Sequence, residues 1–293
     1  MTILIGENIN VMSRSIGPAL KERQPEPIKS LARAETIACV DYLDLNIGPA
    51  KRIGVELMPW LVSTVQEVSD LPLSLDTTNA DAIEAGLKLC RRRALVNSVS
   101  LQPERLEQLL PLVKKYNAEM IGLLWGSDGM PRDVNERCML TVDLVYKANE
   151  AGIPNEDIWI DPIATPVSGE ISQLSACVEF LIMLPEIAPG CKSVVGLSNV
   201  SNGTPQHLRS LINRTYFIML SRYGLHSAIV DAFDDELLAI ARGHRPEIIQ
   251  VVHRAMNDEI IDMNALKKQE QNYVKTVQVL TGQTLYSHSW LEL

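Results

Sequence analysis

Eight short apolar runs, each followed by a longer stretch of helical periodicity, constrain the fold of this 293-residue chain more than any other feature. The runs are rich in Val, Ile and Leu. They span 3–10 (ILIGENIN), 42–48 (YLDLNIG), 72–77 (PLSLDT), 94–100 (ALVNSVS), 119–126 (EMIGLLWG), 158–164 (IWIDPIA), 193–199 (SVVGLSN) and 227–233 (SAIVDAF). Near-continuous hydrophobicity over this length is what a parallel strand buried on both faces requires. Successive runs start roughly 22 to 39 residues apart, the length of one βα unit. Between the fourth and fifth runs, PERLEQLLPLVKKY places Leu106, Leu109, Leu110 and Val113 on one helical stripe. Pro103 sits at a first-turn position, and Lys114 and Lys115 sit where a helix C-terminus favours cations. Eight such units account for residues 1–242, close to the ~250 of a (β/α)8 TIM barrel. The alternative, a doubly wound open sheet, usually carries a GxGxxG turn after its first strand, and none is present.

The pattern changes after Gly243. PEIIQVVHRAM puts Ile248, Val251, Val252 and Ala255 on one face, and LKKQEQNYVKTVQVLTG forms a second helix stopped at Gly282. Residues 243–293 are therefore expected to be accessory helices packed on the barrel, covering one end or making a dimer contact. About 50 residues rarely sustain a core of their own.

Composition excludes several classes. With 46% apolar residues and a mean hydropathy of +0.04 the chain buries a sizeable core, so disorder is excluded. No apolar run approaches the ~18 residues of a membrane span, and MTILIGENIN carries no basic leader of a signal peptide. A net charge of −9 argues against nucleic acid as a main partner. Five scattered cysteines without a CxxC read as reduced thiols in a cytoplasmic protein.

A (β/α)8 barrel does its chemistry at the C-terminal ends of its strands. Those ends carry Glu7, Asn8 and Asn10; Asp44 and Asn46; Asp76; Asn97 and Ser98; Asp161; Ser198 and Asn199; and Asp231. Taken singly, each Asp or Asn is also what the N-cap of the following helix calls for. As a set, they point to a ligand rich in NH donors and ring acceptors, because such groups are costly to desolvate without partners.

Other chemistries lack their residues. None of His207, His226, His244, His253 and His288 falls at a strand end, which disfavours a histidine-centred mechanism, and His244 and His253 are read as surface residues. No HxH, HExxH or Cys/His cluster suggests a metal site. No strand ends in a Schiff-base lysine, there is no P-loop, and Arg91–Arg93 reads as a solvated turn. Trp125 and the methionines, among them Met12, Met58, Met120 and Met139, are read as packing residues. Arg209 and Arg214 are read as helix-surface ion pairs.

The strings LDLNIGPA (43–50), LSLDTTN (73–79), VNSVS (96–100), WIDPIATP (159–166), GLSNVSN (196–202) and LINRTY (211–216), with QTLYSHSWL near the end, stand in an order that resembles the methyltetrahydrofolate:corrinoid methyltransferases. These are members of the pterin-binding barrels, which also include dihydropteroate synthase. The resemblance implies that Asp76, Asn97 and Asp161 bind the pterin ring. It also implies that Gly196 and Ser198 let the ring approach the seventh strand, that Asn199 contacts N5, and that Asn202 makes a further contact. A carboxylate such as Asp161 accepts the adjacent amino and ring NH groups of a pterin edge in bidentate fashion, and an amide such as Asn97 serves mixed positions.

The reaction implied is methyl transfer between N5 of tetrahydrofolate and the cobalt of a corrinoid. The resemblance also implies that the corrinoid rides on a partner protein docking over the barrel mouth, and that the enzyme is a homodimer; no metal site of its own is expected. Dihydropteroate synthase is the nearer rival, but its Arg and His signature at strand eight and its lysine at strand seven are replaced here by VDAFDDELL and GLSN. A non-catalytic pterin- or corrinoid-binding subunit is the other. Such a chain would keep Asp161 without needing Asn199 or the Asn202 region.

Overall fold

The computed structural model describes residues 1–292, so Leu293, the last residue of the expected extension, lies outside the described residues. All eight expected strands form: β1 (Ile3–Gly6), β2 (Tyr42–Asn46), β3 (Leu73–Asp76), β4 (Leu95–Ser100), β5 (Glu119–Leu123), β6 (Ile158–Asp161), β7 (Lys192–Gly196) and β8 (Ser227–Val230). They pair in parallel in chain order, and β8 closes on β1 through Ile3↔Ser227 to Gly6↔Val230. The fold is a (β/α)8 barrel.

Most strands stop short of the apolar runs that announce them. Asn10, Asn46, Asp161 and Asp231 instead accept from the backbone N–H two residues on, which turns the chain out of the ladder into a loop. The polar residues so displaced are the ones at the mouth.

Short α1 (Ile16–Lys21) precedes the outer ring: α2 (Pro25–Ile37), α3 (Gly54–Gln66), α4 (Ala80–Leu87), α5 (Pro103–Lys115), α6 (Val134–Glu150), α7 (Ile171–Ile187), α8 (Gln206–Ser221) and α9 (Asp235–Ala241). In α5 the predicted stripe Leu106, Leu109, Leu110 and Val113 is buried, with Pro103 in the first turn and both lysines in the last. The main hydrophobic core lies between this ring and the sheet, and a smaller one of Ile5, Leu95, Ile121, Trp159 and Val194 fills the barrel itself.

Strand alternation sorts the interior into layers. At the N-terminal end Glu119 accepts from Tyr42 Oη (3.1 Å), Trp159 Nε1 (3.2 Å) and Lys192 Nζ (2.7 Å). This polar plug closes the bottom. Apolar side chains fill the middle. Two residues further along, the inward positions become Glu7, Asp44, Asp76, Asn97, Asp161, Gly196 and Asp231.

The final helices, α10 (Pro246–Met256) and α11 (Lys268–Leu280), pack mainly on the outer ring, against α8 with α7 and α9. Ile248, Val251, Val252, Val274 and Val277 join the main core, and Arg222 of the α8 C-cap holds the His253 carbonyl (3.0 Å) and Asn257 Oδ1 (2.7 Å). The segment is continuous with the barrel's own core.

Several readings need correction. His253 is half-buried, and its imidazole is held below its ordinary pKa by that burial and by Arg222. Met58 and Met120 are core residues, but Met12 (84% exposed), Met139 (71%) and Trp125 (40%) are not. Met12 and Trp125 lie on loops at the strand C-terminal ends, and Met139 is on the outer face of α6; hydrophobicity alone does not tell a core residue from one on an open loop or an outer helix face. Arg91–Arg93 do form an exposed bend as expected, in which Arg91 also holds the Gln66 carbonyl (2.6 Å) and Arg93 pairs with Asp157. No described helix is long and apolar enough to cross a membrane.

Candidate active site

The mouth is built where β2, β3 and β4 run side by side, with Asn46 opposite Asp76 and Asp76 opposite Asn97. Asp44 accepts from Ser74 Oγ (2.6 Å) and from Asn97 Nδ2 (3.1 Å), and Asp76 accepts from Asn46 Nδ2. Each amide is thereby held with its carbonyl oxygen turned away from the carboxylate that it serves. Burial raises Asp44, and burial together with the charge of Asp44 holds Asp76 well above the usual carboxylate range. Each carboxyl acts on the other, and burial with the neighbouring charge favours one proton shared between them.

Across the mouth, Asp161 is buried at the end of β6. Burial pushes its carboxyl up to about 6, against the opposing pull of the Ile163 N–H (2.8 Å) and the Arg137 guanidinium. Ile163 adopts φ +66°, a left-handed conformation costly for a β-branched residue. What holds it there is Arg137. This fully buried side chain of α6 donates to the Pro162 carbonyl (2.9 Å) and to Gln173 Oε1 (2.9 Å), with the Ile163 carbonyl at 3.5 Å. Arg137 thus fixes the loop that presents Asp161.

After β7 the chain enters a 3-10 turn, Leu197–Ser201. Asn199 stands exposed on this turn, and a Cβ on Gly196 would lie 3.0 Å from its Nδ2, so the glycine leaves room for the amide. Ser198 Oγ donates to Glu7 Oε2 (3.0 Å). Asn202 lies exposed just beyond, its backbone N–H on the Asn199 carbonyl. Asp76, Asn97, Asp161, Gly196, Ser198 and Asn199 therefore share one mouth, with Asn202 at its edge.

Between β7, β8 and β1 the mouth continues into a cavity of about 440 Å³ lined by Glu7, Asn8, Met12, Ser198, Arg209 and Asp231. Glu7 is raised to about 7, chiefly by burial, with Asp231 and Asp44 adding to the effect and Ser198 opposing it. Asn8 Nδ2 donates to Asp231 (2.8 Å). Arg214 pairs with Asp234 (2.6 Å) as expected, but Arg209 has no ion-pair partner among the described residues and faces this cavity. A separate hollow of about 490 Å³ beside Met139 and the 126–132 loop carries none of the strand-end residues.

The capping alternative does not explain the strand-end set. Side-chain N-caps of α4, α6 and α9 come from Asn79, Asp133 and Asp234, further along each loop.

Two residues escaped the strand-end reading. One is Arg137. The other is Glu35 of α2, fully buried against Gly6, where a Cβ would sit 2.4 Å from its Oε2. Neither of its carboxyl oxygens makes a well-formed hydrogen bond, and burial with the charges of Asp44, Asp231 and Glu7 pushes its pKa up to about 8 against the weak pull of the Asn8 backbone N–H. Each occupies a stripe position of its helix, with Ile28 and Ala32 or with Thr141 and Leu144. A charge on an apolar stripe was the available signal.

With this geometry in place, the comparisons with known proteins are specific. The family described as pterin binding enzyme matches residues 52–231. A methylcorrinoid:tetrahydrofolate methyltransferase of Eubacterium limosum is 29% identical over 80% of this chain and 87% of its own length. The methionine synthase of Mycobacterium leprae is 27% identical over 78% of this chain, which spans only 20% of that longer protein. Among solved structures, dihydropteroate synthase from Thermus thermophilus superposes with a TM-score of 0.61 at 22% identity, covering 83% of this chain and 94% of that one. The Yersinia pestis dihydropteroate synthase gives 0.63 at 17%, covering 84% and 94%. At these identities the structures speak for the fold.

Proposed function

The chain belongs to the pterin-binding enzyme family, and from that premise we propose that it is a methyltransferase moving a methyl group between N5 of tetrahydrofolate and the cobalt of a corrinoid carried by a partner protein. The observation that carries this reading is the ring of Asp44, Asp76, Asn97 and Asp161, faced across the mouth by Asn199. The names of the methyltransferase and methionine synthase relatives support it.

Asp161 accepts the amino group and ring NH of the pterin as a bidentate pair; ligand donors arriving in a buried site favour its ionised form. Asn97, its amide tethered to Asp44, presents its carbonyl to a ring donor, and Asp76 lines the same edge. Asn199 donates toward N5. A hydrogen bond that strengthens as electrons collect on the leaving nitrogen lowers the barrier directly. The reduced corrinoid, when docked, supplies the nucleophile. Met12, Ile53, Trp125 and Phe233, exposed apolar side chains on loops that follow four different strands, offer a landing surface around the mouth.

Against dihydropteroate synthesis, the β8 end carries Asp231 in VDAFDDELL, where that enzyme's Arg and His signature would stand. The test is single-turnover mixing of the protein with methyltetrahydrofolate and chemically reduced cobalamin, followed by the loss of Co(I) absorbance. Protein-dependent formation of methylcobalamin is expected. Intact protein that catalyses no transfer, to free cobalamin or to corrinoid proteins, would overturn the proposal.

A further inference from the structure

Resting on that reading, one requirement is left open: N5 must gain a proton as the methyl group leaves, and Asn199 is no acid. Among the groups at the mouth, Glu7 alone combines an inward position with a hydroxyl bridge to the Asn199 turn. Ile3 and Ile5 of β1 belong to the barrel-interior layer, so Glu7, two residues on, projects the same way, up into the mouth. Its Oε2 lies 3.0 Å from Ser198 Oγ, and Ser198 is the residue before Asn199. Glu7 and Ser198 both line the 440 Å³ cavity, which opens to solvent.

We propose that Glu7 is the proton source of the site, acting on N5 through the Ser198 hydroxyl. A hydroxyl has a single proton to give. While Glu7 is ionised, that proton points at the carboxylate. Once Glu7 is protonated it becomes the donor, and the Ser198 proton turns outward to the cavity beside Asn199. In the transfer step the N5–methyl bond breaks and its electron pair stays on N5. The new methyl–cobalt bond uses the pair brought by the reduced cobalt. N5 takes the Ser198 proton, Ser198 takes the Glu7 proton, and Glu7 is left as a carboxylate that recovers its proton from solvent through the cavity.

The surroundings suit the role. Asp44 from β2, Asp231 from β8, Asp234 at the start of α9 and Glu35 from α2 are the acidic groups around Glu7, and Arg209 of α8 is the cation facing it. Burial and the neighbouring carboxylates favour the protonated form, which holds Glu7 at about 7, within reach of working pH.

The experiment uses Glu7→Gln, Ser198→Ala and the double variant, with two readouts. The first is proton uptake when methyltetrahydrofolate binds, from calorimetry in buffers of different ionisation enthalpy between pH 7 and 8. The second is the pH profile of single-turnover transfer to free reduced cobalamin. Wild type is expected to take up a proton and to lose rate about tenfold per pH unit above about pH 7. Glu7→Gln should take up none and transfer on the order of a hundredfold more slowly at pH 6, with a flat profile. Ser198→Ala should be as slow, and the double variant no slower than either single one, as expected for one relay. A Glu7→Gln variant that keeps the wild-type profile would overturn the assignment while leaving the methyltransferase reading intact; wild type that neither binds nor transfers would remove that reading instead. Additive losses in the double variant would break the relay, even if Glu7 itself proved difficult to replace.

Discussion

Replacing Glu35 by Gln should make the protein more stable, and increasingly so as the pH rises. Glu35 is fully buried, neither oxygen makes a well-formed hydrogen bond, and burial pushes its pKa up to about 8 from an ordinary 4.5. The folded protein therefore holds a proton that the unfolded chain has already released, so stability falls as pH rises through this window and levels off above about 8. At about 1.4 kcal/mol per pH unit, the cost of Glu35 is about 1 kcal/mol at pH 5 and about 4 kcal/mol at pH 8. Glutamine has nearly the same shape and does not titrate. Urea unfolding of both proteins at pH 5, 6.5 and 8 should show the variant's advantage growing by about 3 kcal/mol across the range, with m unchanged. Glu7, Asp44 and Asp161 are also raised, but they are present in both proteins, and the difference isolates Glu35. An advantage that stays constant from pH 5 to pH 8 would refute the reasoning, since Glu35 would then have the same protonation behaviour folded and unfolded.

Asn199→Ala should lower the rate of methyl transfer more than it weakens folate binding, because its donor matters most when charge moves onto N5; equal losses in both would make it an ordinary binding contact. Arg137→Lys should lower stability by roughly 2 kcal/mol, since an ammonium group cannot reach both the 162–163 carbonyls and Gln173, and should weaken folate binding through Asp161. Thermal unfolding and calorimetry check both halves, and a variant that loses stability but keeps full affinity would separate Arg137 from the site.

The barrel was legible because each strand is a buried apolar run and each helix a stripe, so local pattern and tertiary role coincide. That Asp76, Asn97 and Asp161 gather at one mouth was legible for a related reason, because strand ends in a closed barrel converge on one face. Arg137 and Glu35 were not found, because their roles depend on what packs against them, namely the left-handed Ile163 and the bare Cα of Gly6. Trp125 and Met12 were misjudged for the opposite reason. A large apolar side chain looks the same in sequence whether it fills a core or stands open on a loop, and only the course of the loop separates the two. The extension illustrates a third case: its apolar faces were readable, but the surface they cover, the flank of α8, was not.

The most direct test of the central claim is calorimetric titration of the purified protein with methyltetrahydrofolate, beside Asp161→Ala. The account predicts micromolar binding by the wild type and at least a tenfold loss in the variant, about 1.4 kcal/mol. Absence of binding to the intact protein, or an affinity that Asp161→Ala leaves unchanged, would contradict it and assign the carboxylates and amides of the mouth to another ligand.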